Sequence, residues 1–247
     1  MNKEFLIIAH RGESFDAPEN TMAAINLAWQ RDDDAVEIDI QLSKDDKIVV
    51  IHDKNTYRTG GKYKPVKSQN YNELELLDVG SFKSKKYENE GIPLLKSVVN
   101  SLPPKKYLFI EIKSAGDTTE ILEEFFSKNN ANKNYIKFIS FNKEVLTRLK
   151  TSLPGIEAFW ILDDKIPFFA KNTNSIINQC KAAKLDGLDL NEKMIKSEKI
   201  VRKILNENLK LYTWTVDDVE RAKELMNWKL NGITSNKAAW LKKQLDL

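Results

Sequence analysis

Cysteine, histidine, glycine and proline are all scarce in this sequence of 247 residues. Cys180 is the one cysteine, so an intramolecular disulfide and a thiolate zinc site are both excluded. We interpret Cys180 as a small buried hydrophobic residue. Nine glycines and seven prolines are too few for a fibrous or disordered chain, and 41% hydrophobic with 30% charged residues is typical of a globular protein. The composition therefore predicts a chain that folds by itself.

A strong charge of one sign and long apolar runs are also lacking. The 39 basic and 36 acidic residues leave a net charge of +3, far from the basic surface of a nucleic-acid-binding protein, and favour an anionic ligand only weakly. Apolar runs such as 5–9 span a few residues, and no signal-peptide core precedes His10. We therefore expect no nucleic-acid partner and no stable membrane insertion. The expected protein is soluble, and cytoplasmic in the form given, or periplasmic or secreted if a signal peptide has been removed.

Short β-branched runs alternate with amphipathic stretches along almost the whole chain, which is typical of a parallel α/β sheet or barrel. The predicted strands are Phe5–His10, Ala35–Gln41, Tyr107–Lys113, Ile136–Phe141, Glu157–Leu162, Gly187–Leu190, Leu211–Val216 and Gly232–Ser235. The predicted helices include Asn20–Arg31, Leu94–Leu102, Thr118–Ser127, Lys143–Ser152, Ser175–Ala183, Ser197–Asn206, Asp217–Met226 and Lys237–Gln244. Parallel strands in this number close most simply into a (β/α)8 TIM barrel, which we expect to be a single domain over residues 1–247.

One additional strand pattern interrupts the alternation. The run Ile48–His52 follows the second predicted strand after six residues, which is too short for a parallel crossover and long enough for a hairpin. We expect this strand to run antiparallel beside the second, so that His52 reaches the level of Glu37 and Asp39. Residues 54–93 then lack periodic apolar positions, and we interpret them as an insertion that caps the barrel mouth without folding independently.

The two histidines of the chain, His10 and His52, each end a predicted strand. Active sites of such barrels lie at the carboxyl ends of the strands. A single histidine there is more often a hydrogen-bonded core residue than a functional one. Two histidines that flank one site can divide proton removal and proton donation between them, and each role is typically worth about 10²–10⁴-fold in rate. The pair is therefore a candidate for acid/base catalysis.

Acidic side chains occupy the same end of the predicted barrel. Glu37 and Asp39 lie two residues apart and project from one face of the second strand, and Glu111 and Lys113 do the same on the third. Carboxylates without a thiolate are typical ligands of a hard divalent cation such as Mg²⁺ or Ca²⁺. The alternative is a salt-bridge network in which Arg11 and Lys113 neutralise the carboxylates. In the cation interpretation, Arg11 and Lys113 are available to bind a phosphate.

Ten short motifs follow one another from the first strand to the last. They are His10-Arg11-Gly12, Pro18-Glu19-Asn20-Thr21, Glu37-Ile38-Asp39-Ile40-Gln41, Lys44-Asp45, Val49-Val50-Ile51-His52-Asp53, Arg58-Thr59, Glu111-Ile112-Lys113, Ser140-Phe141, Trp214-Thr215-Val216 and Gly232-Ile233-Thr234. In this order, and with an insertion in the same place, they resemble the glycerophosphodiester phosphodiesterase family. Any one motif is weak evidence, whereas ten in register across nearly the whole chain are a specific match.

The resemblance implies metal-dependent hydrolysis of glycerophosphodiesters to glycerol 3-phosphate and an alcohol, on a catalytic barrel similar to that of phosphatidylinositol-specific phospholipases C. In the implied reaction, the glycerol 2-hydroxyl attacks phosphorus and water then opens the cyclic phosphate. The implied roles are an acid/base pair, three ligands of one Mg²⁺ or Ca²⁺ ion, two phosphate-binding cations and two aromatics on the glycerol side. The corresponding residues are, in that order, His10 and His52; Glu37, Asp39 and Glu111; Arg11 and Lys113; Phe141 and Trp214.

The sequence departs from the family pattern at two turns. Residues 31–35, Arg-Asp-Asp-Asp-Ala, stand where the family usually has a glycine before the second strand, and we expect this turn to differ without affecting the site. Residues 234–237, Thr-Ser-Asn-Lys, replace a closing Thr-Asp or Thr-Asn followed by Arg-Pro, which leaves open any phosphate or loop role of that turn. Phe141 and Trp214 fit packing as well as substrate binding. Asn20 fits a substrate contact or a helix N-cap, and we favour the cap.

Two other functions are compatible with the sequence. A lipid phosphodiesterase, similar to lysophospholipase D or phospholipase C, would need an apolar rim, which Tyr57, Tyr63, Tyr71 and Phe82 of the insertion could supply. A non-catalytic phosphodiester-binding protein would have lost a histidine or a metal carboxylate, and all five are present. We therefore expect an enzyme for a small anionic phosphodiester, such as those of choline, ethanolamine or inositol. Mg²⁺ and Ca²⁺ remain alternatives, and no oligomeric state is predicted.

Overall fold

A computed structural model describes residues 5–113, 118–129, 132–165 and 172–247. The strands in these ranges are β1 (Leu6–His10), β2 (Ala35–Leu42), β3 (Ile48–Val50), β4 (Tyr107–Ile112), β5 (Ile136–Ser140), β6 (Glu157–Leu162), β7 (Gly187–Asn191), β8 (Lys210–Trp214) and β9 (Gly232–Ser235). Neighbouring strands pair in the order β1-β9-β8-β7-β6-β5-β4-β2, and β1 also pairs with β2. Eight parallel strands therefore close into a barrel, and the predicted fold class is confirmed.

Strand β3 is the predicted hairpin strand. It runs antiparallel to β2, with Val50 opposite Ile40. The backbone N–H of Ile51 donates to the carbonyl of Asp39 at 3.0 Å, which extends the pairing past the end of β3. Because β1 pairs only with the first three residues of β2, the later part of β2 has a free edge for β3. The hairpin therefore returns His52 to the barrel mouth beside Asp39, as the sequence predicts.

Amphipathic helices cover the outside of the barrel. They are α1 (Met22–Gln30), α4 (Leu95–Ser101), α5 (Thr118–Lys128), α6 (Lys143–Ser152), α7 (Thr173–Ala182), α8 (Glu198–Leu205), α9 (Val219–Asn227) and α10 (Ala238–Gln244), whereas the four-residue helices α2 (Tyr57–Gly60) and α3 (Tyr71–Leu74) belong to the segment after β3. Their buried residues recur at helical spacing, as Val145, Leu146 and Leu149 do in α6. These side chains join the outward-facing strand residues in the main hydrophobic core.

Aromatic side chains fill the barrel interior below its mouth. Phe109, Phe159 and Tyr212 are buried there, with ring centroids 5.1 Å apart for Phe109 and Tyr212 and 5.0 Å apart for Phe159 and Tyr212. Both contacts are edge-to-face, the arrangement that aromatic rings favour. Side chains alternate along a strand, so Glu111 follows Phe109 on the same inward face. The polar side chains of the mouth thus rest on an apolar floor.

The turn between β1 and α1 depends on left-handed backbone conformations. Arg11 and Gly12 have φ angles of 58° and 79°. A Cβ atom on Gly12 would lie 2.6 Å from the backbone carbon of Ala24, so only glycine fits against α1 there. The tight turn directs Arg11 back over the end of β1, and the chain then enters α1. Thr21 caps this helix, because its hydroxyl accepts from the N–H of Ala24 at 3.3 Å.

The turn between α1 and β2 explains one of the two departures from the family pattern. Helix α1 ends at Gln30, and Asp32 then adopts a φ of 62°, the left-handed conformation that glycine usually supplies after a helix. Aspartate tolerates this conformation better than most residues. The turn leads into the amino end of β2, whereas the carboxylates of the site lie further along that strand. Aspartate therefore takes the place of the usual glycine, and the conformation of the turn is retained.

The segment that follows β3 packs on the barrel through a small apolar cluster of its own. The cluster consists of Val49, Ile51, Val66, Leu74, Val79 and Ile92. Lys83 Nζ donates to the carbonyl of Ser14 at 2.8 Å, and the Tyr87 hydroxyl donates to that of Asp16 at 2.9 Å. The segment thus contacts the loop after β1. Among the described residues, no helix combines the length and apolarity that crossing a membrane requires.

Candidate active site

The carboxyl ends of the strands surround a cavity of about 290 Å³. Eight of the nine predicted site residues line it, namely His10, Arg11, Glu37, His52, Glu111, Lys113, Phe141 and Trp214. The ninth, Asp39, is buried beside Glu37 and Glu111. The lining also includes Ile139, Ile161, Asp189, Thr215 and Thr234, to which the sequence analysis assigned no role in the site. The structure therefore brings all nine predicted residues together.

Three carboxylates form a compact cluster at one side of the cavity. Glu37, Asp39 and Glu111 each offer an oxygen atom, and these atoms lie within 4.8 Å of one another. Asp39 on β2 is the register neighbour of Glu111 on β4, and Glu37 precedes Asp39 on the same face. Within the described part of the chain, Glu37 Oε1 and Asp39 Oδ1 are buried and accept no hydrogen bond. Glu37 Oε1 therefore stays free, whereas Asp39 Oδ1 has the ammonium group of Lys113 3.2 Å away.

Two cations balance only part of this negative charge. Arg11 Nε lies 3.2 Å from Asp39 Oδ2, and Lys113 Nζ lies 3.2 Å from Asp39 Oδ1 and 2.8 Å from Glu111 Oε1. Burial acts to raise the pKa of Asp39, but the charges of Arg11 and Lys113 outweigh it and hold the pKa below its ordinary value. Burial and the charge of Asp39 raise the pKa of Glu111 to about 7. The salt bridges thus centre on Asp39.

Glu37 remains the least compensated member of the cluster. Burial, followed by the charges of Asp39 and Glu111, raises its pKa well above the ordinary value. Its contacts are the backbone N–H of Arg11, which donates to Oε2 at 3.0 Å, and His10 Nε2 at 4.0 Å from the same oxygen. A salt-bridge network alone therefore leaves this carboxylate without a close charged partner among the described side chains. A cation beside it would supply the missing charge.

Asn20 holds Asp39 in place, and its predicted role as a helix N-cap is wrong. Its Nδ2 donates to Asp39 Oδ2 at 2.8 Å, and its Oδ1 accepts from the backbone N–H of Asp39 at 3.1 Å. Thr21, one residue later, caps α1 instead. Asn20 is buried with a φ of 58°, which aims the side chain away from the helix and toward β2. The residue therefore supports a carboxylate of the cluster.

His10 is oriented by a chain of hydrogen bonds from the last strand. Its Nδ1 lies 2.7 Å from Asn236 Oδ1, and Asn236 Nδ2 donates to Asp217 Oδ2 at 2.7 Å. Because the amide donates to Asp217, its oxygen faces His10 and accepts the Nδ1 proton. Burial and the charge of Arg11 lower the pKa of His10 to about 4. A neutral imidazole with a free Nε2 is the form that accepts a proton.

The turn at 234–237 thus has a role that its departure from the family pattern had left open. Asn236→Leu is expected to lower kcat about tenfold, because it removes the hydrogen bond that fixes the imidazole of His10, and to lower the melting temperature modestly, because Asp217 loses a donor. Asn236→Asp keeps an acceptor oxygen and should retain more activity than the leucine variant. Steady-state kinetics of the two variants test this role. Equal losses in both would show that Asn236 acts through packing alone.

His52 has its own carboxylate partner. Its Nδ1 lies 2.6 Å from Asp53 Oδ1, which leaves Nε2 for the cavity. Hydrogen bonding to Arg58 lowers the pKa of Asp53 to about 2, so this carboxylate is an acceptor at neutral pH. Arg58 Nε donates to Asp53 at 2.7 Å, and its guanidinium also binds Glu19 at 2.6 Å. The insertion therefore contributes Arg58 to the support of His52.

Phe141 and Trp214 form the aromatic wall of the cavity. Their ring centroids lie 5.8 Å apart in an edge-to-face contact. The Trp214 Nε1–H donates to the carbonyl of Asp189 at 3.3 Å, which fixes the indole against β7. Phe141 remains 46% exposed, so part of its ring is accessible to a ligand. Both rings therefore present apolar surface to the space between them and the carboxylate cluster.

A second, more open depression adjoins the cavity at His10 and Arg11, which line both. Its volume is about 350 Å³. Phe15, Lys83 and Lys237 form its outer part, with Lys83 Nζ 5.8 Å and Lys237 Nζ 4.8 Å from the Phe15 ring centroid. The two spaces meet at a histidine and an arginine. This arrangement suits a ligand with a central anionic group and two substituents.

Several proteins similar to this chain are named phosphodiesterases. The model of the glycerophosphoryl diester phosphodiesterase family matches residues 10–239. YhdW of Bacillus subtilis (strain 168), provisionally named a glycerophosphodiester phosphodiesterase, is 33% identical over 239 residues, which are 93% of each chain. A glycerophosphodiester phosphodiesterase of Caldanaerobacter subterraneus subsp. tengcongensis is 29% identical over 251 residues, covering 94% of this chain and 93% of the relative.

Solved structures give the same result. A phosphodiesterase of Oleispira antarctica, determined in complex with the product sn-glycerol-3-phosphate, superposes with a TM-score of 0.86 at 27% identity, covering 98% of this chain and 97% of that one. Together with the closed barrel and its polar mouth, these relatives define a phosphoric diester hydrolase. The chain belongs to the glycerophosphoryl diester phosphodiesterase family. The resemblance carried by its motifs is thereby confirmed.

Proposed function

We propose that this protein hydrolyses small glycerophosphodiesters to glycerol 3-phosphate and an alcohol, with the help of one bound Mg²⁺ or Ca²⁺ ion. The observation that carries the proposal is the joint placement, in one cavity, of a buried carboxylate cluster and two histidines. Each histidine has a hydrogen-bonded partner on the nitrogen that faces away from the ligand space. The product sn-glycerol-3-phosphate bound by the Oleispira antarctica relative supports this substrate class.

The residues of the cluster fit a divalent cation. Glu37, Asp39 and Glu111 offer oxygen ligands, which Mg²⁺ and Ca²⁺ prefer. The free buried Oε1 of Glu37 and the raised pKa values of Glu37 and Glu111 support a site whose negative charge Arg11 and Lys113 balance only in part. When bound, such an ion would neutralise charge on the phosphate and stabilise the charge that develops during hydrolysis. Asn20 would keep Asp39 oriented as a ligand.

The phosphate is proposed to bind where the two spaces meet. Arg11 and Lys113 stand at the cluster and can donate to phosphate oxygens. The glycerol moiety then occupies the 290 Å³ cavity against Phe141 and Trp214. The second alcohol extends into the open depression. In this orientation, the glycerol moiety, which all glycerophosphodiesters share, binds in the less open cavity. The second alcohol, which varies between substrates, binds in the more open depression.

The chemistry is proposed to run in two steps. His10 is the base, because its neutral imidazole has a free Nε2 and a fixed Nδ1 proton. It removes the proton of the glycerol 2-hydroxyl, whose oxygen attacks phosphorus while the bond to the second alcohol breaks. His52 protonates the departing oxygen. In the second step, His52 takes a proton from water, the water oxygen opens the cyclic phosphate, and His10 returns its proton to the 2-oxygen.

A lipid phosphodiesterase is the second candidate. Exposed aromatics of the insertion favour it, with Tyr57 63%, Tyr63 77% and Phe82 46% exposed. Such side chains could contact acyl chains or a membrane surface. They lie apart from the apolar cluster that anchors the segment. The small volume of the cavity, about 290 Å³, favours the small water-soluble diesters over this candidate.

Phosphorus-31 NMR distinguishes these proposals. Purified protein with Mg²⁺ or Ca²⁺ is incubated with glycerophosphocholine and, separately, with lysophosphatidylcholine. We expect glycerophosphocholine to give glycerol 3-phosphate through a transient cyclic ester, and authentic glycerol 1,2-cyclic phosphate to be hydrolysed as well. Faster turnover of lysophosphatidylcholine would favour the lipid candidate. Hydrolysis of glycerophosphocholine without any turnover of the cyclic ester would contradict the two-step route.

A further inference from the structure

Asp189 is a buried carboxyl group in the cavity wall that the reaction outlined above does not use. It lies on β7 and is 3% exposed, yet it lines the cavity. Its Oδ1 accepts no hydrogen bond, and its carboxyl group forms no ion pair with any residue in the described ranges. Its register neighbours on the adjoining strands are Ile161 and Tyr212, and Ile139 lies further along the wall. Oδ1 of this carboxyl group therefore lacks a hydrogen-bond partner, beside strand neighbours that are largely apolar.

An unpartnered buried carboxyl group destabilises a fold unless a ligand completes it. Burial, followed by the charge of Glu111, raises the pKa of Asp189 to about 8, so that the neutral acid predominates at pH 7. A neutral carboxyl group both donates and accepts one hydrogen bond. A hydroxyl group has the same two capacities, and the pair is mutually satisfied. Asp189 is not a member of the carboxylate cluster that fits a cation.

We propose that Asp189 is a specificity-determining residue that binds the terminal hydroxyl of the glycerol moiety. The inference rests on the proposed function, which places the phosphate at Arg11 and the 2-hydroxyl at His10. The remaining hydroxyl lies one carbon further from phosphorus, along the aromatic wall. Trp214 is part of that wall, and its Nε1 bonds to the carbonyl of Asp189 itself. The unpartnered carboxyl group thus stands beside the expected position of the third carbon.

The proposal has a consequence for the substrate class. A diester whose terminal hydroxyl is acylated, as in a lysophospholipid, offers an ester where Asp189 has its carboxyl group. The ester has no proton to donate, so it cannot complete the hydrogen bonding of the carboxyl group as a free hydroxyl does. Asp189 therefore selects free glycerol over acylated glycerol.

Binding of two ligands tests the proposal without relying on turnover. Calorimetry compares sn-glycerol 3-phosphate with propane-1,2-diol 1-phosphate, which lacks only the terminal hydroxyl. We expect the wild-type protein to bind the first about 10- to 100-fold more tightly, since the second leaves Asp189 unpartnered. Asp189→Leu should abolish this difference in affinity by weakening the binding of sn-glycerol 3-phosphate alone. Asp189→Asn can still donate and accept a hydrogen bond, so it should keep most of the difference in affinity.

A matched control comes from the preceding loop. Asp186 lies three residues earlier, forms an ion pair with Lys150 at 2.9 Å and does not line the cavity. Asp186→Asn should leave the ligand preference intact. Equal affinities of the wild-type protein for both ligands, or equal weakening of both by Asp189→Leu at an unchanged melting temperature, would overturn the proposal. Clear discrimination by a protein that turns over no glycerophosphodiester would instead contradict the proposed function and uphold the role of Asp189.

Discussion

Replacing either histidine by alanine is expected to lower kcat by about 10²–10⁴-fold while the melting temperature stays within about 3 °C of the wild-type value. His10 and His52 are each bonded through Nδ1 to a polar group at the rim of the barrel rather than to the apolar core. Their loss should therefore remove proton transfer and leave the fold intact. Steady-state kinetics with glycerophosphocholine and thermal unfolding of each variant provide the measurement.

A substrate with a better leaving group separates the two roles. Glycerophospho-p-nitrophenol releases a phenolate that needs no proton, so it should restore much of the activity of His52→Ala. The same substrate should leave His10→Ala inactive, because the 2-hydroxyl still has to lose its proton. Rescue of both variants, or of neither, would contradict the assignment of base and acid. If both variants unfold, the histidines are structural and the proposed site is wrong.

Glu37→Gln and Asp39→Asn should both abolish metal-dependent activity but change stability in opposite directions. In metal-free protein at pH 7, we expect Glu37→Gln to raise the melting temperature and Asp39→Asn to lower it, each by about 2–8 °C, or about 1–3 kcal/mol. The opposite pKa shifts of the two carboxyl groups give the reason. Thermal unfolding in chelator, with activity measured in parallel, tests both effects.

The signs follow from proton linkage. The folded state raises the pKa of Glu37, so it binds a proton that the unfolded chain releases, and stability falls as pH rises above the ordinary glutamate pKa. Glutamine does not ionise, so Glu37→Gln removes this loss of stability at pH 7. The folded state lowers the pKa of Asp39, so its charge stabilises the fold above the ordinary aspartate pKa, and asparagine loses this contribution. Undiminished activity in Glu37→Gln, or a lower melting temperature of its metal-free form, would contradict this account.

Added metal provides a control within the same experiment. Millimolar Mg²⁺ or Ca²⁺ should raise the melting temperature of the wild-type protein, because a ligand of the folded state alone stabilises it. Glu37→Gln, Asp39→Asn and Glu111→Gln should show a smaller rise or none. A similar rise in the melting temperature of the wild-type protein and all three variants would show that the cation binds outside the carboxylate cluster.

Much of the site follows from strand periodicity and one hairpin. Glu37 and Asp39 share a face because strand side chains alternate, and pairing of β2 with β4 brings Glu111 next to Asp39. The short connection to β3 fixes an antiparallel return, which places His52 at the same end. These relations depend on local spacing and on the closure of a parallel barrel, both of which the sequence pattern conveys.

Other parts of the site depend on contacts that local patterns do not encode. Asn236 meets His10 across 226 positions, and this contact exists only because the last strand pairs with the first. Asn20 precedes a threonine and a helix, and only its left-handed backbone reveals that it serves Asp39. Asp189 lies between two leucines. The sequence does not show whether its side chain points into the barrel, or whether neighbouring side chains fill that layer of the barrel interior.

Release of glycerol 3-phosphate from glycerophosphocholine, measured in a coupled assay before and after chelation, tests the central claim most directly. We expect turnover by the wild-type protein, loss of turnover after thorough treatment with EDTA, and recovery when Mg²⁺ or Ca²⁺ is added back. This result would establish the reaction and its dependence on a divalent cation. Turnover that is undiminished in fully chelated protein would contradict the account.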